Sequence, residues 1–431
     1  MDFMEQVFFI AIIAIFAFII SKRAIFIRKA ISLGKSEWPE NSSSERWKQM
    51  LLIAFGQKKM FKKPIPAFLH LLVYLGFLII NLEVLEFVID GITGNHRFFA
   101  PFVGSLYGML LNFFEFLALG VLVSCLIFLI RRNILKVDRF HTPEMTRWPK
   151  LDANLILVFE VVLMSAILIM NATDQLLQSQ NEHYTHTGSL FISSFLIPLF
   201  ETFSASSLIL IERIAWWFHI VGIFGFALYV TYSKHLHIFL AFPNTFYSRA
   251  GGTGKMNNMP VVTNEVFTML GMPSPVTVPE GEPGRFGAKD INDLTAKNIL
   301  EAFTCTECGR CTAQCPANLT GKKLSPRGIM MAVRDSAEDK VKGVEGKSLL
   351  GDYITKEEIN ACTSCNACVE ACPVSISPLE IILDLRRYLA MEESGAPVAW
   401  NMMFQNIETN FAPWKFPATD RFKWSENVKN D

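Results

Sequence analysis

Two copies of one cysteine pattern fix the chemistry around which the C-terminal part of this 431-residue chain must fold. Cys305-x2-Cys308-x2-Cys311-x3-Cys315-Pro316 recurs as Cys362-x2-Cys365-x2-Cys368-x3-Cys372-Pro373. Three thiolates on one tight loop can hold three corners of a cubane, and the fourth ligand then comes from the other copy. The spacing therefore predicts two [4Fe–4S] clusters with crossed ligation. Cys305, Cys308, Cys311 and Cys372 form one ligand set; Cys362, Cys365, Cys368 and Cys315 form the other. C-x2-C also reads as zinc, but a third and fourth cysteine, a following proline and duplication of the whole favour iron–sulfur. Eight of the nine cysteines lie in these copies. That clustering speaks for metal ligation in a reducing compartment and against a disulfide framework. The ninth, Cys125, sits in an apolar run and reads as a small core residue.

The rest of the composition is uneven. Half the residues (51%) are hydrophobic, and every long apolar run falls within 1–245. A helix needs roughly 20 mostly apolar residues to span a bilayer. Five stretches qualify, at 5–21, 66–89, 105–130, 153–172 and 207–233, the last with room to run on to 241. The first carries Asp2 and Glu5 ahead of its apolar run and its cations behind it, the reverse of a signal peptide. Lys and Arg alternate in density from loop to loop. Segment 21–65 has eleven and 131–151 has six, against one (Arg97) in 90–104 and none in 173–206. By the positive-inside rule the N-terminus faces outward and everything after the fifth helix is cytoplasmic. Residues 44–60 mix basic and apolar positions and read as an interfacial helix, and Phe191–Phe200, too short to span, as an outer interfacial segment.

Ionisable side chains inside membrane helices are expensive and point to function. His70 and His219 lie within the second and fifth spans, with His235 and His237 at the cytoplasmic end of the fifth. Eighteen residues, five turns of an unbroken helix, separate His219 from His237 and would place both on one face. Imidazole is a standard axial ligand of haem iron. One b-type haem fits between His70 and His237, with His235 as substitute. His219 finds no intramembrane partner, leaving it a five-coordinate haem, a loop histidine (His96, His183 or His186), or a plain polar contact. Glu115 and Glu160 interrupt the third and fourth spans, as quinone-proton relays or as paired carboxylates.

Four regions follow: a transmembrane domain at 1–245, a Gly/Pro-rich surface linker at 246–295, a two-cluster domain at 296–392 and a tail at 393–431. Within the cluster domain, Pro326–Lys342 begins after Ser325 as N-cap with Pro at the first position, and Pro378–Met391 has helical periodicity. The tail keeps Trp400, Trp414 and Trp424 among prolines and polar residues. These read as a docking element or as a segment folded back on the cluster domain. The fold class expected is an all-α membrane protein, a five-helix bundle plus an α-helical dicluster ferredoxin domain.

The stretches FTCTECGRCTAQCPA, SPRGIMM and ACTSCNACVEACPVSISP resemble the iron–sulfur subunit of heterodisulfide reductases. GQKKMFKKPIPAFLH around His70 and ERIAWWFHI with YSKHLHI around His219, His235 and His237 are similar to the cytochrome b subunit of that system and of membrane nitrate reductase (its gamma subunit). The resemblance implies a fused cytochrome b–ferredoxin subunit in a bacterial or archaeal cytoplasmic membrane, exchanging electrons with quinone. It further implies a separate cytoplasmic partner bearing Cys–Cys–Gly motifs, because no adjacent Cys–Cys occurs here. NFAPWKFPATDRFKW (Asn410–Trp424) is similar to the segment joining ferredoxin to that partner. Two rival readings are a membrane redox sensor or assembly factor without quinone chemistry, and a plain anchor for a soluble dehydrogenase. Zero formal net charge gives no electrostatic footprint for nucleic acid.

Overall fold

The chain opens with α1 (Phe3–Ile31) and a short helix, α2 (Ser43–Met50), followed by α3 (Pro64–Thr93), α4 (Tyr107–Asn133), α5 (Trp148–Leu177) and α6 (Ala205–Val230). The structure, a computed structural model, describes residues 3–249, 256–277 and 285–426. With α2 set aside, these helices account for five segments long and apolar enough to cross a membrane. Each runs past at least one end of the apolar stretch that announces it, because a helix continues through flanking residues until a cap stops it. Gly94 ends α3 in the left-handed conformation (φ 78°), and Ser204 caps α6 by accepting from Ser207 N. Helices α3–α6 pack in succession, and α1 lies against α3 and α6 on the outside. Phe9, Phe87, Leu163 and Trp216 meet in the bundle core.

The fifth span does not run on to 241. Helix α6 ends at Val230, and Ser233 takes an extended backbone whose hydroxyl accepts from His235 N at 3.1 Å. A new helix, α7, then begins at His237 and ends at Phe246. The five unbroken turns expected between His219 and His237 therefore do not form, and their relative placement is set by this corner.

Among the described residues there is no strand, only two isolated bridges. Within 246–295 lies α8 (Pro260–Met269), and Ala288, Ile291 and Leu294 from the same stretch enter a hydrophobic core. The cluster domain continues with α9 (Ala296–Thr304), α10 (Pro326–Val341) and α11 (Pro378–Met391). Thr295 and Asn298 form a capping box for α9, and Ser325 Oγ accepts from Gly328 N to cap α10. Then comes α12 (Val398–Asn410), which has no buried residue.

Bundle and cluster domain share one core. Ile27, Ala30 and Leu236 pack with Ile299, Phe303, Met330 and Leu385. Arg23 reaches Glu338 at 2.7 Å, and Lys35 exchanges backbone hydrogen bonds with Leu294 and Ala296 at 2.8 Å each. Gly34 allows this approach, since a Cβ there would lie 2.6 Å from Ala296 N. The cysteine loops are thereby held against the ends of the membrane helices.

Candidate iron–sulfur and haem centres

Helix α9 delivers Cys305 at its C-terminus. The loop that follows turns back through left-handed Glu307 (φ 51°) and Gly309 (φ 70°), which carries Cys308 and Cys311 to the same side. A Cβ on Gly309 would lie 2.4 Å from Arg327 Nη1. Cys305, Cys308, Cys311 and Cys372 line one cavity, with Cys368 also at its wall. In the second copy, Ser364 (φ 55°) and Asn366 (φ 65°) make the corresponding turns. Cys362 lies within electrostatic reach of Cys315 and Cys365, and Cys368 of Cys362, Cys315 and Cys365. The fourth cysteine of each copy thus stands with the first three of the other, Cys368 being shared in surroundings by both groups.

Backbone amides already point at two sulfurs: Ile376 N donates to Cys372 Sγ at 3.3 Å, and Ser364 N to Cys362 Sγ at 3.4 Å. Arg386 braces the second loop, donating to Ile359 O at 2.7 Å and Asn360 O at 3.0 Å. Burial pushes the Cys305 and Cys368 thiols up to about 12 and Cys372 up to about 11. Iron binding must displace those protons, which couples metal loading to proton release. The thiol-rich donor set, its two-fold repetition and the waiting amides fit iron–sulfur clusters.

Directly beside the first cavity lie three of the four candidate histidines. The rings of His235 and His237 are 5.7 Å apart, and His70 feels the charges of His237 and of Arg310 in the first cysteine loop. Each ring is held through Nδ1. His70 faces Gln57 Oε1 at 3.1 Å, His237 faces Lys234 O at 3.3 Å and His235 faces Ser233 Oγ at 3.2 Å. With Nδ1–H donating to a carbonyl oxygen, His70 and His237 keep Nε2 for a metal, the usual arrangement of a ligating imidazole. Burial keeps His237 neutral, its pKa down at about 4, and holds His235 well below the ordinary imidazole value. These residues fit an axial pair for haem.

His219 lies elsewhere, in the bundle core, 1% exposed and edge-on to Phe87 at 5.8 Å. Its Nδ1 meets Leu163 O at 3.0 Å, while its buried Nε2 has no hydrogen-bond partner. Of the loop histidines weighed as its mate, His183 and His186 are exposed. His96 is engaged at both nitrogens, by Thr185 N at 3.3 Å and Asp174 Oδ1 at 3.5 Å.

One residue joins the histidine crevice to the first cysteine cavity. Lys234, 5% exposed, supplies the carbonyl that His237 faces and sends Nζ to Glu307 Oε2 at 2.8 Å. Glu307, between Cys305 and Cys308, also receives Arg334 at 2.8 Å. Arg334 and Lys234 hold its carboxyl below the usual range against the effect of burial. The segment from Gln57 to Lys62 makes a second link, from the His70 ring to an ion pair between Lys62 and Glu370.

A further buried network was not foreseen. Glu115 is fully buried and bonded to Asn171 and Ser193, while Glu160 stands apart, half-buried near Cys125. Around Glu115, however, gather Glu83, Glu86, Asp90, Arg97 and Asp174. The available signal was the spacing of Glu83, Glu86 and Asp90, three, four and seven residues apart on one helical face, ahead of the lone Arg97.

Comparison with known proteins matches residues 304–376 to a 4Fe-4S dicluster domain. The chain is 26% identical to the probable iron-sulfur-binding oxidoreductase FadF of Bacillus subtilis, over 96% of this chain and 59% of that protein. It is 27% identical to the EtfAB:quinone oxidoreductase of Syntrophomonas wolfei, over 91% of this chain and 56% of that one. A shorter match, 29% over 31% of this chain and 35% of the other, is to a subunit of the dihydromethanophenazine:CoB–CoM heterodisulfide reductase of Methanosarcina mazei. The chain spans a little over half the length of the first two relatives. No solved structure matches. The chain is therefore related to iron–sulfur oxidoreductases and carries a dicluster domain beside five candidate membrane helices.

Proposed function

We propose that this chain is a membrane-bound electron-transfer subunit linking the quinone pool, through a b-type haem and two [4Fe–4S] clusters, to a cytoplasmic iron–sulfur partner of the heterodisulfide-reductase type. Haem and clusters, when bound, supply one-electron redox chemistry; the chain supplies position, potential and access. His70 and His237 are the proposed haem ligands, with His235 as alternative. Cys305, Cys308, Cys311 and Cys372 are proposed for one cluster and Cys315, Cys362, Cys365 and Cys368 for the other. The Lys/Arg asymmetry supports an outward N-terminus and a cytoplasmic cluster domain.

The observation that carries the proposal is the buried junction at Lys234, which bonds to Glu307 in the first cysteine loop while holding His237. A plain anchor or a detached sensor domain has no need for a buried charged bridge between membrane histidines and a cluster loop. Anaerobically purified protein mixed with a soluble naphthoquinol should show haem reduction in its visible spectrum. His70→Ala should lose that haem while keeping its iron–sulfur absorption. Retention of the full haem spectrum in His70→Ala would refute the axial pair, and a haem-free wild type would favour the sensor.

The tail supports a partner. Trp414 and Trp424 are 69% and 71% exposed, and Phe411, Phe416 and Phe422 are exposed with them, whereas Trp400 folds back over Arg386 at 5.7 Å. Truncation after Asn410 removes the exposed aromatics and leaves the Trp400 contact. It should spare both clusters yet abolish co-purification of a cytoplasmic iron–sulfur subunit, tested by pull-down from the native host. Undiminished recovery of that subunit would exclude the tail as the docking element.

A further inference from the structure

At the end of the bundle remote from the cysteine loops, α3, α4, α5 and α6 enclose a polar network within otherwise apolar helices. Its centre is Arg97, 2% exposed. Arg97 donates to Asp174 Oδ2 at 2.9 Å and to Asn171 Oδ1 at 2.8 Å, and lies 3.5 Å from Glu83 Oε1. Asn171 donates to Glu115 at 3.2 Å. Glu86 accepts from Tyr107 Oη and Phe99 N, both at 2.7 Å, and Asp90 from the backbone of Arg97 and Phe98 at 3.0 and 2.9 Å. On the far side, Asp174 meets His96 at 3.5 Å, the His96 ring packs on Tyr184 at 5.0 Å, and Tyr184 donates to Glu212, the partner of Arg213.

Two features set this network apart from a structural knot. First, its charges do not balance. Among the described residues, the six carboxylates of Glu83, Glu86, Asp90, Glu115, Asp174 and Glu212 are set against two arginines, Arg97 and Arg213, an excess of acidic groups that is costly in a low-dielectric interior. Second, the bonding is loose at two places. Glu83 Oε1 and Arg97 Nη1 are buried without a hydrogen-bond partner, as is Asp174 Oδ1. Each of these atoms faces its neighbour at 3.5 Å, beyond a good hydrogen bond. Glu86, Asp90 and Glu115, by contrast, are each held by two or more donors. The loosest carboxylate is therefore Glu83, deep in the bundle and 2% exposed; Asp174 is held at Oδ2 by two nitrogens of Arg97 but turns its unsatisfied Oδ1 to His96, whose side chain is 23% exposed.

We propose that Glu83, Arg97, Asp174 and His96 form a proton path joining the interior of the membrane bundle to the face opposite the cluster domain. The path serves the quinone reaction and so rests on the function proposed above. Oxidation of a quinol to the quinone gives up two electrons and two protons. The electrons would leave singly for a bound haem, and the protons would leave by way of Glu83; quinone reduction would run the same exchange backwards. Glu83 and Asp174 share one guanidinium, so protonating either frees Arg97 to favour the other, which drives a proton along without moving the helices. Burial and Arg97 hold the His96 pKa down at about 3, so the ring stores no proton at ordinary pH and any proton it takes from Asp174 passes straight on at the surface end.

The test compares two reductants of the haem in the intact, detergent-purified protein by stopped flow. A soluble naphthoquinol must lose protons to reduce haem; dithionite need not. Glu83→Gln should slow quinol-driven reduction at least tenfold and leave the dithionite rate and the haem spectrum unchanged, with Glu83→Asp recovering part of the loss. Wild-type rates in Glu83→Gln would overturn the proton path while leaving the quinone reading intact. If quinol fails to reduce haem in the wild type, both fall together. His96→Asn, outside the spanning helices, gives a second measurement should Glu83→Gln fold poorly. The path requires it to slow the quinol reaction selectively, and an unchanged quinol rate would overturn the proposal.

Discussion

Replacing Cys372 by serine should cost the protein one complete cluster, and the choice of a second substitution should reveal which one. Under crossed ligation Cys372 belongs with Cys305, Cys308 and Cys311, the cysteines whose cavity it lines. Intact protein should hold about eight iron and eight sulfide per chain, and Cys372→Ser about four of each. The double variant Cys308→Ser/Cys372→Ser should lose no more than either single change, because both act on the same cluster. Cys308→Ser/Cys315→Ser should lose everything, because they act on different ones. If each motif instead supplied all four of its own ligands, the two outcomes would exchange places. The pattern of additivity, read by iron and sulfide assay and by EPR of the reduced protein, decides between them.

The second large effect is expected at Arg327. Its side chain is fully buried, though it sits near the start of α10. It donates to Arg139 O at 2.8 Å and Glu307 O at 3.3 Å, and pairs with Glu144 at 2.9 Å. One guanidinium thus ties the loop between α4 and α5 to the first cysteine loop and fills the space beside Gly309. Arg327→Met keeps most of the volume but strands Glu144 and two carbonyls at the interface. Breaking a buried ion pair from one side typically costs about 3–5 kcal/mol. The first cluster should bleach at a markedly lower temperature than in the wild type, followed in the visible spectrum during anaerobic heating. Arg327→Lys should not rescue it, since one ammonium cannot reproduce the fork that spans three acceptors. Unchanged thermal bleaching in both variants would show that the interface does not depend on this residue.

Much of this architecture was legible in the chain because the environment imposes one-dimensional rules. Spanning helices need unbroken apolar runs, and cubane ligation needs close cysteines, so both appear as patterns along the sequence. The N-caps at Ser325 and Thr295 were legible or latent for the same reason: a cap is a local event. The failures have a physical cause too. The helix-period argument from His219 to His237 assumed that α6 continued, yet the corner at Ser233 depends on a hydroxyl bonding two residues ahead and on Asp152 receiving Lys234 N. Helix α8 was masked by glycines and prolines on both sides of PVVTNEVFTM. The buried acids were scattered over α3, α4, α5 and α6, and only packing assembles them. The role of Lys234 left no signal in the sequence, because its partner Glu307 is 73 residues away.

The attachment of α1 bears on how such a protein is made. Little of the surface of α1 is buried by the bundle. The contacts that complete it come from Lys35 against Leu294 and Ala296, from Arg23 against Glu338, and from Ile27 and Ala30 in the core around Ile299 and Leu385. The ribosome delivers those partners some 260 to 360 residues later, and their own loops close around metal. Helix α1 is thus made well before the residues that fix it in place. A chain starved of iron keeps α1 without those contacts, a difference by which quality-control proteases can distinguish it from finished protein.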